Sequence, residues 1–343
     1  MPENSLQKKK ILIGGGAGYI GSALVPVLIE AGHEVEVIDL LWFGNTLPSS
    51  VKVVQKDLFD CIADDFRGFD QFIFLAGLST DAMAEHSPSK NFIMNAALPA
   101  YLAFLSKGAG VQRFIYASSS SIYGFTHNKF YDETAPTISQ YPYAIAKLQG
   151  ERGVMPLADE NFSVIAFRQG TVSGFSPRMR MDLVVNAMFK TALLEQKIII
   201  NNPAIWRPIY DLRDCIQAYM LAIEAPNELS GVFNVASKNY QVEEIAVAVK
   251  SVSEKLAKKP VVLETRHFQD FRNYAMNIDK AKKELGFTPK FLVEDIVKDL
   301  YEHKEQIGDL NSDNYYNIRI FEKIVQKEEM HKRIIAEIDK FKY

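Results

Sequence analysis

The sequence predicts an α/β protein built on a doubly wound parallel sheet, with a smaller C-terminal α+β lobe. Three observations point there. A short apolar run, Ile11-Leu12-Ile13, ends in closely spaced glycines and flows into an amphipathic segment, Tyr19–Ala31, giving strand, tight turn and helix. Strand-like runs then alternate with helix-like segments as far as Arg168, the rhythm of parallel βαβ units. Phe69–Ala76 is a nearly continuous apolar run, as a strand covered on both faces requires.

In order, Met1–Lys9 reads as a loose polar leader. The first strand leads through Gly15, Gly18 and Gly21, spaced i, i+3, i+6, into the helix. The first of these allows the turn, the second the close approach of a pyrophosphate, and the third close packing of helix on strand. A second strand, Glu34–Ile38, ends in Asp39, about 20 residues on, where a carboxylate can accept the hydroxyls of an adenosine ribose. Together they predict a dinucleotide site of the Rossmann kind. Val51–Gln55 gives a third strand, Pro88–Lys107 a helix, and Gln112–Ala117 a strand broken by Ser118–Ser121. Gln140–Ala158 reads as helix and Phe162–Arg168 as strand. Beyond Thr171 the rhythm loosens. Helices are expected over Asp182–Glu195, Asp211–Glu224, Val242–Leu256 and Leu292–His303, with short strands at Ile198–Ile200 and Val232–Val235. Tyr315–Tyr343 is a charged amphipathic helical tail. The expected units are 10–175 (dinucleotide domain), 176–310 (mostly substrate lobe) and 311–343 (tail).

Composition narrows the function. At 343 residues the chain can bury a large core, and its net charge of -3 gives no electrostatic reason to expect nucleic acid or an anionic membrane. Cys61 and Cys215 stand far apart with no CxxC pattern, so neither a disulfide framework nor a metal site is expected. No apolar run is long enough for a membrane span, and Met1–Lys10 lacks the apolar region of a signal peptide. The expected location is the cytoplasm.

Tyr143-Ala-Ile-Ala-Lys147 places a phenol and an ammonium four apart on one helical face. A cation that close is expected to lower the phenol's pKa and suit Tyr143 to acid–base work. The serine run lies about 25 residues upstream, at the end of a strand beside the nucleotide.

With the glycine loop Gly15–Gly21, these residues carry a resemblance: the chain resembles the extended short-chain dehydrogenase/reductases of the NAD-dependent nucleotide-sugar epimerase/dehydratase family. Further motifs are Asp57-Leu58, Leu75-Ala76-Gly77, Asn95, Ser118–Gly124 and Phe167-Arg168 before Gly170–Gly174. Ser176–Asn186 resembles a sub-branch of sugar-nucleotide enzymes of surface-polysaccharide and related pathways. The resemblance implies NAD as cofactor, held by Gly15, Gly18, Tyr19, Ile20, Gly21, Asp39, Asp57, Leu58, Leu75, Ala76 and Lys147. It implies Tyr143 as base, Ser119 as its hydroxyl partner, and Lys147 binding the nicotinamide ribose while lowering the pKa of Tyr143. Thr80, Ser120, Arg178, Arg180 and Arg207 are implied at the substrate, with Arg207 and Arg178 on its phosphates. The implied reaction is oxidation at C4 of a nucleotide-linked sugar through a 4-keto intermediate, with return on the other face as a 4-epimerase. The alternative is a net 4-dehydrogenase or reductase, and a non-catalytic NAD sensor is the rival from another class. A homodimer is implied through the helices within Pro88–Lys107 and Gln140–Ala158. Two departures matter. Gly14 replaces the usual Thr or Ser, and Ser120-Ser121 stands where 4,6-dehydratases carry Asp–Glu, which disfavours dehydration.

Overall fold

The computed structural model describes residues 8–266 and 272–340, without the side chains of 127, 128 and 331–340. In chain order the strands are β1 (Lys10–Gly14), β2 (Glu34–Asp39), β3 (Lys52–Gln55), β4 (Gln71–Phe74), β5 (Arg113–Ser119), β6 (Phe125–Tyr131), β7 (Ser163–Gln169), β8 (Thr171–Ser173), β9 (Lys197–Asn201), β10 (Trp206–Asp211), β11 (Gly231–Val235), β12 (Lys238–Gln241), β13 (Val262–Arg266) and β14 (Asn273–Met276). Seven of them form one parallel sheet in the order β11-β7-β5-β4-β1-β2-β3.

The order reverses between β1 and β4, and that reversal places the site. Gly14 pairs with Ile38 on one side and Phe74 on the other, so the carboxyl ends of β1, β2 and β4 lie side by side. The crossovers leave in opposite directions there and open a crevice. Period-two alternation decides the two faces. Ile11 and Ile13 point to the layer holding the helices Tyr19–Glu30 and Leu212–Glu224, while Leu12, Phe72 and Phe74 point to that of Leu98–Gly108 and Pro142–Val154. Phe72, Phe74 and Phe114 are wholly buried, and removing such a side chain from water contributes about 1.5–3 kcal/mol.

Small sheets (β12-β10-β8, β13-β9 and β14-β6) carry the second lobe. The sequence division at residue 175 is not clean. Gly231–Val235, expected in the lobe, is the outer strand of the main sheet beside β7, and Leu212–Glu224 packs on the first helix. Main-sheet and lobe strands therefore alternate along the second half. The serine run also differs from expectation: β5 continues through Ser118 and Ser119, whose partners on β7 are Arg168 and Gln169, and the chain turns at Ser120–Tyr123. The predicted Pro88–Lys107 helix is interrupted by one wider turn, Ile93–Ala97, which carries the buried Asn95.

The tail is a helix, Asn317–Lys340, whose start packs on the body through the fully buried Phe321, against Leu78 and Met83. The side chains of Ile334, Ile335 and Ile338, expected on its apolar face, lie outside the described residues.

Candidate active site

The glycine run turns the chain from β1 into the first helix at the crevice. Gly15 has φ of +80°, and a Cβ there would stand 2.6 Å from the backbone nitrogen of Ala76; one on Gly21 would stand 2.3 Å from the carbonyl oxygen of Gly16. Only glycine fits either position. The helix starts at Gly18 with no side-chain cap, which leaves first-turn N–H groups for an anion. Asp39, ending β2, accepts from Ala17 N–H at 3.0 Å and Leu41 N–H at 2.8 Å. Burial raises its pKa, against the pull of those amides and of the Arg178 charge. An uncapped helix start, a turn with no room for Cβ and a fixed carboxylate fit the diphosphate and ribose of a dinucleotide, with Asp57 and Leu58 nearby at the start of a short turn.

A cavity of about 550 Å³ runs from this loop toward the second lobe. Every site residue expected from the sequence lines it: the three glycines, Tyr19, Ile20, Asp39, Asp57, Leu58, Leu75, Ala76, Thr80, Ser119, Ser120, Tyr143, Lys147, Arg178, Arg180 and Arg207. That size suits a sizeable organic ligand.

At its centre the Pro142–Val154 helix presents Tyr143 and Lys147. The Lys147 Nζ donates to the carbonyl oxygen of Ala117 at 2.9 Å and lies 6.0 Å from the Tyr143 ring centre. Burial pulls the Lys147 pKa down to about 7. The Tyr143 phenol departs from the sequence expectation. Its pKa is raised, because burial first and the Asp81 charge second outweigh a hydrogen bond from Ser119 and the charge of Arg180. Lys147 is not among the main influences on it. Helical spacing gave the neighbourhood correctly but carried no information on burial. Ser119 Oγ lies 2.9 Å from Ser121 Oγ and accepts from Ser121 N–H. Ser118 turns the other way, donating to Glu151, which holds Arg168 through a buried ion pair with an N–O distance of 2.6 Å. This pair braces β5, β7 and the helix bearing Tyr143.

The arginines divide. Arg207 lies in the second lobe on β10, over the Tyr274 ring and bonded to the carbonyl oxygens of Trp206 and Arg272. Arg180 is held by both oxygens of Asp182, at 2.8 and 3.1 Å. Arg178, expected on substrate phosphates, is stacked 3.6 Å from the Phe43 ring centre and bonded to Asn317, on the Asp39 side of the cavity. The loop Leu40–Gly44 brings no cation to Asp39; Arg178 does so from a distant part of the chain. Thr80 caps the short helix Asp81–His86, accepting from Met83 N–H. His127, just past the serine run in sequence, has its side chain outside the described residues.

Sequence reasoning missed Trp42, Phe43, Asp81, Arg272, Tyr274 and Asn317, all on the cavity wall. Arg272 pairs with Asp81 at 2.7 Å across the cleft. No local motif announces them, since each reaches the cavity through tertiary packing. Among the described residues no cluster of acidic, histidine or cysteine side chains suits a metal ion, and no helix is long and apolar enough to cross a membrane.

The model of the NAD dependent epimerase/dehydratase family matches residues 11–236. The chain is similar to the UDP-glucose 4-epimerase of Corynebacterium glutamicum, with 24% identity over 88% of this chain and 97% of that protein. Its fold matches MoeE5 in complex with UDP-glucuronic acid and NAD, with TM-score 0.77, 24% identity, and 87% and 100% of the two chains covered. It also matches the UDP-glucose 4-epimerase of Thermotoga maritima with UDP-glucose, with TM-score 0.76, 25% identity, and 87% and 99% covered.

Proposed function

The chain belongs to the NAD-dependent epimerase/dehydratase family, and on that premise we propose that it is a nucleotide-sugar 4-epimerase acting on a UDP-hexose or a close analogue. The observation that carries the reading is the convergence of Tyr143, Ser119 and Lys147 on the cavity that also holds the glycine turn and Asp39. Bound NAD supplies the two-electron acceptor that oxidises C4 and the donor that reduces it again. The residues of the chain do the rest. Asp39 holds the adenosine ribose, and Lys147, anchored on the Ala117 carbonyl, holds the ribose next to the nicotinamide. Tyr143 Oη takes the proton of the C4 hydroxyl and returns it to the 4-keto sugar, while Ser119 Oγ hydrogen-bonds the same oxygen. Arg207, on the second lobe, pairs the substrate diphosphate.

The uridine nucleotide rests on the relatives, whose names specify UDP-sugars. The serines at 120 and 121 disfavour a dehydratase, because hydroxyls of ordinary acidity cannot do the work of two carboxyls. The roles of the two halves, dinucleotide domain and mostly substrate lobe, follow from the same assignment. Homodimerisation through the Pro88–Gly108 and Pro142–Val154 regions is supported by their exposed apolar side chains, Phe92, Ile93, Tyr101, Phe104 and Ile145. A monomer by light scattering at micromolar concentration would refute it. The assignment of the base is tested by Tyr143→Phe, which should still bind NAD and UDP yet lose turnover by about 10²–10⁴-fold. Wild-type turnover in that variant would sink it.

A further inference from the structure

The tail helix is not an appendage of the cavity. Asn317, in its first turn, is buried and lines the cavity wall. Its Nδ2 donates to Ser79 Oγ at 2.7 Å, and its Oδ1 accepts from Arg178 Nη2. Arg178 in turn stacks on Phe43, and its backbone N–H donates to Ser22 Oγ in the helix that follows the glycine turn. One turn further, Phe321 is wholly buried, its ring centre 6.0 Å from Trp42 and 5.8 Å from His86. Just before the helix, the Tyr315 carbonyl accepts from Met181 N–H at 2.9 Å.

These contacts fall on the dinucleotide half. Trp42 and Phe43 belong to the loop that follows Asp39, whose shape is set by the Asp39–Leu41 hydrogen bond and by Leu41 at φ of 55°. Arg178 stands beside the same carboxylate. The first two turns of the tail thus join the loop after β2, the 178–181 segment and the Asp81–His86 helix with the residues just before it.

We propose that the start of the C-terminal helix is a wall of the NAD site: Asn317 positions Arg178, Phe321 clamps the Trp42–Phe43 loop, and together they retain the cofactor between turnovers. This rests on reading the cavity as an NAD site. Retention is also what separates an epimerase from a net dehydrogenase, because the cofactor reduced by one sugar must stay to reduce the same sugar.

The test measures NAD affinity and release in the full-length wild type, Asn317→Ala and Phe321→Ala, by quenching of tryptophan fluorescence, with UDP binding by calorimetry as the control. Both variants should bind NAD about tenfold more weakly and release it faster, because a preorganised wall is lost. UDP affinity should stay within about twofold. Asn317→Ala removes only polar contacts, so it keeps the test sound if Phe321→Ala folds poorly. Wild-type NAD affinity and release in Asn317→Ala would overturn the proposal alone, as would an equal loss of NAD and UDP binding. A wild-type chain that binds no NAD would overturn the site reading and this proposal with it.

Discussion

Replacing Lys147 with methionine should stabilise the cofactor-free protein while disabling it. Lys147 is 5% exposed, and burial lowers its pKa from the usual 10.5 to about 7. The difference, 10.5 − 7, corresponds to about 5 kcal/mol at 1.36 kcal/mol per pH unit. The sign follows from proton binding. Between those values the unfolded chain holds the proton and the folded chain does not, so stability rises with pH. The penalty is complete below pH about 7 and disappears as pH approaches 10.5. Lys147→Met removes it, at the loss of about 1 kcal/mol for the hydrogen bond to Ala117. Urea unfolding at pH about 7 and about 9.5 should show wild-type stability gaining about 3 kcal/mol more than the variant over that interval. At pH about 7 the variant should be the more stable of the two, as expected where stability is traded for function. Equal pH dependence in the two proteins would refute the argument.

Asp39→Ala should weaken NAD binding and narrow its preference over NADP, because the carboxylate that repels a 2′-phosphate is gone while Arg178 remains; titration with both cofactors checks this. Glu151→Ala leaves the buried Arg168 without its counter-charge and should cost about 3–5 kcal/mol in denaturant unfolding. Turnover should climb toward alkaline pH, since the burial and the Asp81 charge that raise the Tyr143 pKa favour the protonated phenol near neutrality; a rate profile of Asp81→Asn should begin its rise at lower pH.

The first half of the fold was legible because its signals are local. Glycine spacing, an apolar run and a terminal acid mark strand, turn, helix and strand within thirty residues or so of chain. In the second half the helices were legible but the sheet membership of Gly231–Val235 was not, because it has the same short apolar pattern whether it joins the lobe or the edge of the main sheet. Only its pairing with β7 decides. The same limit applies to the site. Tyr143 and Lys147 were found from their spacing, yet the direction of the Tyr143 pKa depends on burial and on Asp81, which no spacing reveals. Arg178 was recognised as a functional cation, but its stacking on Phe43 and its bond to Asn317 were not legible, because both partners are remote in sequence.

The central claim is that this cavity oxidises a nucleotide-linked hexose at C4 and reduces it again without giving up its cofactor. Proton magnetic resonance of UDP-hexoses incubated with the protein and NAD in excess over the protein tests it most directly, with near-ultraviolet absorbance followed in parallel. The account predicts appearance of the C4 epimer of at least one sugar to an equilibrium mixture, with no more reduced cofactor than there is protein. Continuous accumulation of reduced cofactor in step with sugar consumed, or no epimer from any UDP-hexose by a protein that binds both NAD and UDP, would contradict it.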